Sequence, residues 1–247
     1  MLKCPKNSRL CDLMLSLYLL KIMKVAVITG GTKGIGRAIS TLFLKKGFKV
    51  YISARSEELD YQHPNLIMYK ADLAIKENIT SFAQFITQSE KHIDVLVNNV
   101  GVFLPGKLTE EPEGNFEIML NTNLASTYHL TRALIPHLKS AKQPYIFNIC
   151  STASITPYLN GGSYCISKYA QYGLTKVLRE ELKEYNIRVS AVLPGATLTD
   201  SWSGTDLPEQ RFINPDSIAQ MIYTAYQLPG NVVLEEILIR PMDGDIS

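Results

Sequence analysis

Residues 24–46 of the chain read KVAVITGGTKGIGRAISTLFLKK, and this stretch decides the fold. Its first six residues are mostly apolar, as in a strand that is buried on both faces. A tight turn with four glycines follows, at Gly30, Gly31, Gly34 and Gly36. Apolar residues then recur at helical spacing until Gly47, where a helix is expected to end. The stretch predicts a strand, a glycine-rich turn and a helix in direct succession.

The same alternation continues to the end of the chain. Apolar runs predict further strands at residues 48–53, 66–70, 94–97, 145–150, 187–193 and 234–240. Helical spacing of apolar residues predicts helices near residues 74–89, 112–139, 163–185 and 215–227. This order predicts an α/β fold of three layers, in which helices cover both faces of a parallel sheet. No repeat, linker or composition break indicates a second domain, so we expect residues 23–247 to form one domain.

The composition is that of a globular protein. The chain has 247 residues, of which 46% are hydrophobic, enough for one large domain with a sizeable core. Its 25 basic and 23 acidic side chains leave a net charge of only +2. Binding to nucleic-acid phosphates needs a clear basic excess, so no nucleic-acid partner is expected.

Residues 1–22 form an extension ahead of the first predicted strand. A basic stretch precedes an apolar run at residues 13–20, which is vaguely similar to a secretory signal peptide. The run lacks a small-residue cleavage site and is shorter than the roughly 20 apolar residues that span a bilayer. We therefore favour Met23 as the true start, with residues 1–22 as a mis-assigned leader or a disordered tail, over a targeting segment. No membrane attachment is expected.

The cysteines and histidines give no sign of a metal site. The four cysteines lack zinc-ligand spacing, and the four histidines are scattered along the chain. Cysteines without a disulfide pattern are typical of a reduced compartment, which predicts a cytoplasmic protein.

The glycine-rich turn has the spacing G-x3-G-x-G, counted from Gly30. Glycines in such a turn let the backbone approach a pyrophosphate at the positive end of the following helix. An ordinary strand–helix loop is the alternative explanation. Because the turn follows the first strand and opens a helix, we favour a dinucleotide site.

The end of the second predicted strand indicates which dinucleotide binds. Enzymes that prefer NAD carry an acid there for the ribose 2′-hydroxyl, whereas this chain reads Ser53-Ala54-Arg55, with no acid before Glu57. Arg55 can pair with a 2′-phosphate through its planar guanidinium, and Lys33 could add a second positive charge. The alternative is that Arg55 is a solvated loop residue. The pattern favours NADP(H).

Two later segments place polar groups where a reaction can occur. Tyr164 and Lys168 stand four residues apart in a predicted helix, so the ammonium can lie beside the phenol. A nearby positive charge lowers the pKa of a phenol, which at about 10 is otherwise too high for acid–base work at neutral pH. Ser151, at the end of the fifth predicted strand, can hold a carbonyl oxygen on which charge develops.

Taken together and in order, these motifs make the chain resemble the short-chain dehydrogenase/reductase family. They are T-G-x3-G-x-G at residues 29–36, N-N-x-G at residues 98–101, Y-x3-K at residues 164–168, and Pro194-Gly195 with Thr199 after it. Ser151 stands 13 residues before Tyr164, as the family pattern requires. The resemblance runs from about residue 23 to residue 242 and implies a Rossmann-type doubly wound fold.

The resemblance also implies a role for each matching residue. Tyr164 is the general acid that protonates a carbonyl oxygen, Lys168 lowers the pKa of that phenol and binds the nicotinamide ribose, and Ser151 orients the carbonyl. Asn123, rather than Asn121, fits the family's N-L pattern and completes the catalytic set by holding a water in a proton relay. With Tyr164 and Lys168, the implied cofactor-binding residues are Gly30, Thr32, Lys33, Gly34, Ile35, Gly36, Arg55, Asp72, Leu73, Asn99, Val100, Gly101, Pro194, Gly195, Thr197 and Thr199.

The activity implied is hydride transfer between NADPH and a ketone or aldehyde, with a small-molecule carbonyl substrate. The alternative is a non-catalytic NAD(P)-binding regulator, a class that usually loses the tyrosine or the lysine. Apolar side chains that could line the substrate pocket, or simply pack under its lid, are Phe103, Tyr158, Leu159 and Trp202. In the family, helices equivalent to residues 112–139 and 163–185 commonly form the dimer interface, which implies a homodimer or homotetramer.

Overall fold

The computed structural model describes residues 23–56 and 61–246, so the predicted extension at residues 1–22 lies outside the described residues. Within those ranges one parallel sheet has the strand order β3-β2-β1-β4-β5-β6-β7. The strands are β1 (Val25–Thr29), β2 (Lys49–Ala54), β3 (Leu66–Lys70), β4 (Val95–Asn98), β5 (Tyr145–Ile149), β6 (Arg188–Pro194) and β7 (Glu236–Ile239). The predicted Rossmann-type doubly wound sheet is confirmed.

Helices cover both faces of this sheet. They are α1 (Gly34–Lys45), α2 (Lys76–Ser89), α3 (Asn115–Met119), α4 (Ser126–Lys139), α5 (Gly162–Leu182) and α6 (Pro215–Gln227). One buried cluster joins α1 and α6 to the sheet through residues such as Phe43 and Ile222. A second cluster joins α2, α4 and α5 to the opposite face through Phe82, Leu134 and Leu178. In the described part of the chain, no helix has both the length and the apolar character needed to cross a membrane.

The strand order reverses between β1 and β4, and this reversal positions the site. The chain leaves β1 toward β2 on one side and later returns to β4 on the other, so the loops after these two strands diverge. Ligands of doubly wound sheets bind in the crevice outside the carboxyl ends of the strands at such a point. The glycine-rich turn follows β1, and the N-N-x-G motif begins at the end of β4.

The long helix predicted for residues 112–139 is shorter at its start and is not α-helical throughout. It begins only at Asn115, because Gly114 has φ of +90° and breaks the helical path ahead of it. Residues Leu120–Ala125 form a π-helical segment between α3 and α4. Such segments are rare and frequently lie at functional sites, and this one contains Asn123. The other predicted elements are present, with bounds that differ by a few residues at most.

A buried row of amides and hydroxyls fixes the sheet beside the crevice. The Asn98 side chain donates to Oδ1 of Asn148 at 2.8 Å and to Oγ1 of Thr131 at 3.0 Å. Asn148 in turn donates to Oγ1 of Thr175 on α5 at 2.9 Å. Buried polar groups that are fully bonded specify one arrangement of the elements they join. The row therefore holds α5, the helix with Tyr164 and Lys168, in register with the ends of β4 and β5.

Candidate active site

The glycine-rich turn is packed too tightly to accept side chains at two positions. A Cβ on Gly36 would overlap the carbonyl oxygen of Gly30, and one on Gly31 would overlap Cγ2 of Ile52. Gly30 has φ of +65°, which side chains disfavour. The first turn of α1 contains no acidic residue and no side-chain cap, so its N–H groups stay available to an anion. These features fit the pyrophosphate of a dinucleotide.

A cleft of about 580 Å³ opens beside this turn, at the carboxyl ends of β1 to β4. Its size is in the range of cofactor and ligand sites. It brings together twelve of the predicted cofactor-binding residues, which are Gly30, Thr32, Lys33, Gly34, Ile35, Arg55, Asp72, Leu73, Asn99, Val100, Gly101 and Thr199. Other lining residues, not included in the predicted set, are Ser53, Ala54, Ala71, Ala74, Val102, Ile118, Asn121, Thr122, Asp200 and Ser201.

Six predicted cofactor-binding residues do not line this cleft: Tyr164 and Lys168, which are described below, and four that lie behind or beyond its walls. Gly36 packs beneath the turn, where a Cβ would come 2.5 Å from Nδ2 of Asn99. Pro194 ends β6, and a Cβ on the next residue, Gly195, would lie 2.8 Å from Oδ1 of Asp245. Thr197 is buried, and its hydroxyl donates to the carbonyl oxygen of Gly195 at 2.9 Å. The roles of these residues toward a cofactor stay predictions.

Asn99 ties the end of β4 to the glycine-rich turn. Its side-chain amide donates to the carbonyl oxygens of Thr29 and Gly30, at 2.9 and 3.2 Å. The backbone N–H groups of Asn99 and Val100 both donate to Oγ1 of Thr29, at 2.8 and 3.0 Å. The Asn99 side chain therefore supports the floor of the cleft.

Two cations stand at the rim of the cleft. Arg55 directly follows β2, is exposed, and forms no ion pair with any residue that the structure describes. Lys33 precedes α1, and its Nζ lies 3.2 Å from Oδ2 of Asp200 across the cleft. Both partners of that pair are about three-quarters exposed, at 73% and 76%, so the pair is easily exchanged for another anion. Arg55 is thus the more available partner for a phosphate.

Tyr164 and Ser151 lie together at the N-terminal end of α5. The Ser151 hydroxyl is close enough to the Tyr164 phenol to act on its pKa, which it lowers. Burial has the larger effect and raises the pKa of Tyr164 to about 12. Ser151 is itself fixed, because its Oγ accepts from the N–H of Ala153 at 3.1 Å and its own N–H donates to Oγ of Ser154 at 3.2 Å. A protonated phenol and a fixed serine hydroxyl therefore stand side by side.

Lys168 lies one helical turn beyond Tyr164 and is buried. Its Nζ donates to the carbonyl oxygen of Ile149 and to Oε1 of Gln171, both at 2.9 Å, and lies 5.9 Å from the centre of the Tyr164 ring. Burial lowers the pKa of Lys168 to about 8, while the Cys150 thiol acts in the opposite direction. In this arrangement burial dominates the pKa of Tyr164, so the lowering expected from Lys168 stays a prediction.

Asn123 is fully buried in the π-helical segment, and its side chain is used for structure. Its Oδ1 accepts from the N–H of Val102 at 2.7 Å, and its Nδ2 donates to the Val102 carbonyl oxygen at 3.0 Å and to Ser167 Oγ at 2.9 Å. These bonds fasten the loop after β4 to α5. The predicted water relay would have to use the Asn123 carbonyl oxygen, which also accepts from Thr127 Oγ1 at 3.2 Å.

Sequence reasoning missed a cap on the N-terminus of α5. Oε1 of Glu111 accepts from the N–H of Ser163 at 2.7 Å, and Oε2 accepts from the Ser163 hydroxyl. Gly162 leaves room for this carboxylate, because a Cβ there would overlap it. Since 52 residues separate Glu111 from Ser163, no local motif could have pointed to the pair. Gln171 was also missed, although its place three residues after Lys168 on one helix was a usable signal.

Aromatic side chains border the reactive phenol. The Phe103 ring packs edge-on against the Tyr164 ring at 4.9 Å and lies 6.4 Å from the Tyr158 ring. Burial raises the pKa of Tyr158, so it is a neutral phenol. Trp202 packs instead on Phe212 at 5.1 Å, and Leu159 is largely exposed. Two of the four predicted pocket residues are therefore next to Tyr164.

Comparison with known proteins gives consistent matches along the chain. A family model described as short chain dehydrogenase matches residues 24–209. A protein named sepiapterin reductase, from Chlorobaculum tepidum, is 33% identical over 239 residues, which cover 90% of this chain and 98% of that protein. An alcohol dehydrogenase from the archaeon Thermococcus sibiricus, solved with 5-hydroxy-NADP, has a TM-score of 0.81 at 26% identity and covers 91% of this chain and 99% of its own.

A second solved structure is a metagenomic short-chain oxidoreductase in complex with NADP. Its TM-score is 0.74 at 29% identity, over 89% of this chain and 97% of its own. The NADP-type molecules in both solved structures agree with the cofactor predicted from Arg55. The motifs, the sheet order, the cleft and the family match all lead to one conclusion: the chain belongs to the short-chain dehydrogenase family.

Proposed function

We propose that this protein is an NADP(H)-dependent oxidoreductase that reduces a ketone or an aldehyde to the alcohol. The observation that carries the proposal is the proximity of Ser151 to the Tyr164 phenol, with buried Lys168 one helical turn away and packed beside Gly101 of the cleft. The alternative, a non-catalytic NAD(P)-binding regulator, is disfavoured because both Tyr164 and Lys168 are kept.

Different residues would hold the different parts of the cofactor. The N–H groups at the start of α1 and the turn from Gly30 to Gly36 would receive the pyrophosphate. Arg55, helped by Lys33, would receive the 2′-phosphate. We expect the adenine beside Asp72 and Leu73, with Asn99, Val100 and Gly101 below it. The nicotinamide side would meet Lys168 and the segment that contains Pro194, Gly195, Thr197 and Thr199.

NADPH, when bound, would supply a hydride to the carbonyl carbon. Tyr164 then donates its hydroxyl proton to the carbonyl oxygen, so that one hydride and one proton convert the carbonyl to an alcohol. Ser151 orients the carbonyl oxygen and stabilises the charge that develops on it. The Lys168 ammonium stabilises the phenolate that Tyr164 becomes.

The protonation states suit reduction at neutral pH. Because burial raises the pKa of Tyr164 to about 12, the phenol holds its proton and can act as an acid. Because the pKa of Lys168 is about 8, its amine is mostly charged at pH 7 and loses its charge just above that. We therefore expect kcat/KM for reduction to fall on the basic side of neutrality.

The surroundings of the phenol favour an apolar or aromatic carbonyl compound. Phe103 and Tyr158 offer ring surface next to Tyr164.

We also propose that the protein is cytoplasmic and forms a homodimer or homotetramer, and that residues 23–247 are its single domain. The exposed side chain of Val177 and the open position at Gly173 on α5 would suit contact with a second copy.

The experiment is a turnover screen with NADPH against aldehydes, aromatic ketones, 3-oxoacyl thioesters and sepiapterin. Sepiapterin is included because the relative from Chlorobaculum tepidum is named sepiapterin reductase. Consumption of NADPH that depends on the carbonyl compound, with formation of the alcohol, is expected for at least one class. NADP+ binding without turnover of any class would favour the regulator instead.

A further inference from the structure

The buried charge of Lys168 is held by neutral acceptors. Only 4% of Lys168 is exposed, and no described carboxylate forms an ion pair with it. Its ammonium donates to the carbonyl oxygen of Ile149 and to Oε1 of Gln171. A charged group out of water depends on each hydrogen bond that it makes, because nothing else compensates its lost hydration.

The orientation of the Gln171 amide is determined by its other partner. Gln171 is fully buried, and its Nε2 donates to Oγ1 of Thr127 at 3.0 Å. The Thr127 hydroxyl uses its single proton on the carbonyl oxygen of Asn123, at 3.2 Å. The Thr127 oxygen can therefore only accept from Gln171, which requires the NH₂ group to face Thr127 and the oxygen to face Lys168.

We propose that Gln171 is a positioning residue for the reaction, which holds the Lys168 amine in its charged form beside Tyr164. The chain Asn123–Thr127–Gln171–Lys168 connects the π-helical segment to the ammonium by hydrogen bonds. This inference rests on the proposed reduction, because only there does the charge of Lys168 matter to turnover. Gln171 acts through Lys168 and touches no reacting atom.

The other groups near Lys168 leave this role to Gln171. On α5 itself the Tyr164 ring lies 5.9 Å from Nζ of Lys168, and after β5 the Cys150 thiol raises the pKa of Lys168. The π-helical segment and the short helix Thr152–Ser154 contain no titratable residue. From α3, Glu117 is exposed, and from β6 the Arg188 guanidinium donates to the carbonyl oxygens of Tyr226 and Leu228.

The first test measures the charge of Lys168 directly and needs no turnover. Isotope-labelled lysine allows the Cε resonance of Lys168 to be followed against pH, with its assignment taken from Lys168→Arg. In Gln171→Met, which keeps the volume but removes the acceptor, we expect the pKa of Lys168 to fall by about one unit or more. In Gln171→Glu, a carboxylate favours the ammonium, and the pKa should rise.

A matched control separates this effect from damage to the core. Thr131→Val removes a buried hydroxyl on α4 that accepts a hydrogen bond from Asn98 and is bonded to neither Lys168 nor Gln171. It should destabilise the fold and leave the pKa of Lys168 unchanged. Circular dichroism checks that each variant is folded, and Gln171→Glu carries the test if Gln171→Met does not fold.

The second test uses the pH profile of kcat/KM for carbonyl reduction. The basic limb should move to lower pH in Gln171→Met and to higher pH in Gln171→Glu, since turnover needs the ammonium. If Gln171 had only a structural role, the variants would have a lower rate or a lower melting temperature, but the basic limb of the pH profile would stay at the same pH. If the pKa of Lys168 is the same in wild type and both variants, the role of Gln171 is overturned even where reduction occurs. Shifted pKa values without reduction of any carbonyl would show that Gln171 sets the charge of Lys168, but would overturn the proposed function and with it any role of Gln171 in reduction.

Discussion

We expect that changes at two adjacent residues, Ala54 and Arg55, reverse the preference for NADPH over NADH. β2 ends at Ala54, which lines the cleft, and Arg55 follows it at the rim. The double change Ala54→Asp with Arg55→Ile removes the guanidinium and places a carboxylate where the 2′-substituent would lie. A carboxylate there accepts from a ribose hydroxyl but repels a phosphate. We expect the wild type to prefer NADPH and the double variant to prefer NADH.

The size of the wild-type preference follows from exposure. A hydrogen bond between a charged donor and acceptor contributes about 1.5–3 kcal/mol, and salt and solvent reduce it toward the lower figure at an exposed residue such as Arg55. Lys33 adds little, because it must give up Asp200, and an exposed pair of this kind is worth roughly 0.2–1 kcal/mol. About 1.5 kcal/mol corresponds to roughly a tenfold preference for NADPH.

Affinities for NADP+ and NAD+, measured by calorimetry, and kcat/KM for both reduced cofactors provide the assay. Arg55→Lys is the matched control, since it keeps the charge but loses the planar fork, and its preference should lie between those of wild type and Arg55→Ile. Equal wild-type affinities for the two cofactors would mean that Arg55 points to solvent and would refute the reasoning.

Three further predictions concern the scaffold. Glu111→Ala removes the cap from Ser163 on α5 and should lower the free energy of unfolding, measured in urea, by about 0.5–2 kcal/mol. Glu111→Gln should lower it less, and equal stability of the wild type and both variants would contradict the cap. Gly36→Ala places a methyl group against the Gly30 carbonyl oxygen and should cost about 1–3 kcal/mol and weaken NADP+ binding, both measurable by titration. A chain that begins at Met23 should keep the melting temperature and activity of the full chain, and a large drop in melting temperature would show that residues 13–20 pack on the domain.

The fold was predictable because its signals are local. Each strand is a short apolar run, and each helix has its own apolar spacing and its own stop, such as Gly47 with φ of +81° after α1. The π-helical segment at residues 120–125 was not predictable from apolar spacing, because it depends on what Asn123 binds. Its side chain bonds to Val102 and Ser167, which are distant in sequence and are brought to it by the fold.

The candidate site likewise contains residues that the sequence predicted and residues that it did not. Tyr164, Lys168 and Ser151 belong to ordered motifs, and the structure brings them together at one end of α5. The partners that hold them carry no motif of their own. Glu111 reaches Ser163 across a loop, and the effect of burial on the Lys168 pKa depends on the whole surrounding core.

The central claim is that Tyr164 transfers a proton during NADPH-dependent reduction, and Tyr164→Phe tests it most directly. The variant keeps the ring that packs against Phe103 and lacks only the hydroxyl. Its kcat on a carbonyl compound that the wild type reduces, measured together with its NADPH dissociation constant, gives the answer. We expect a loss of turnover of about 10²-fold or more, the range for a positioned proton donor, with NADPH binding unchanged. Turnover near that of the wild type would contradict it.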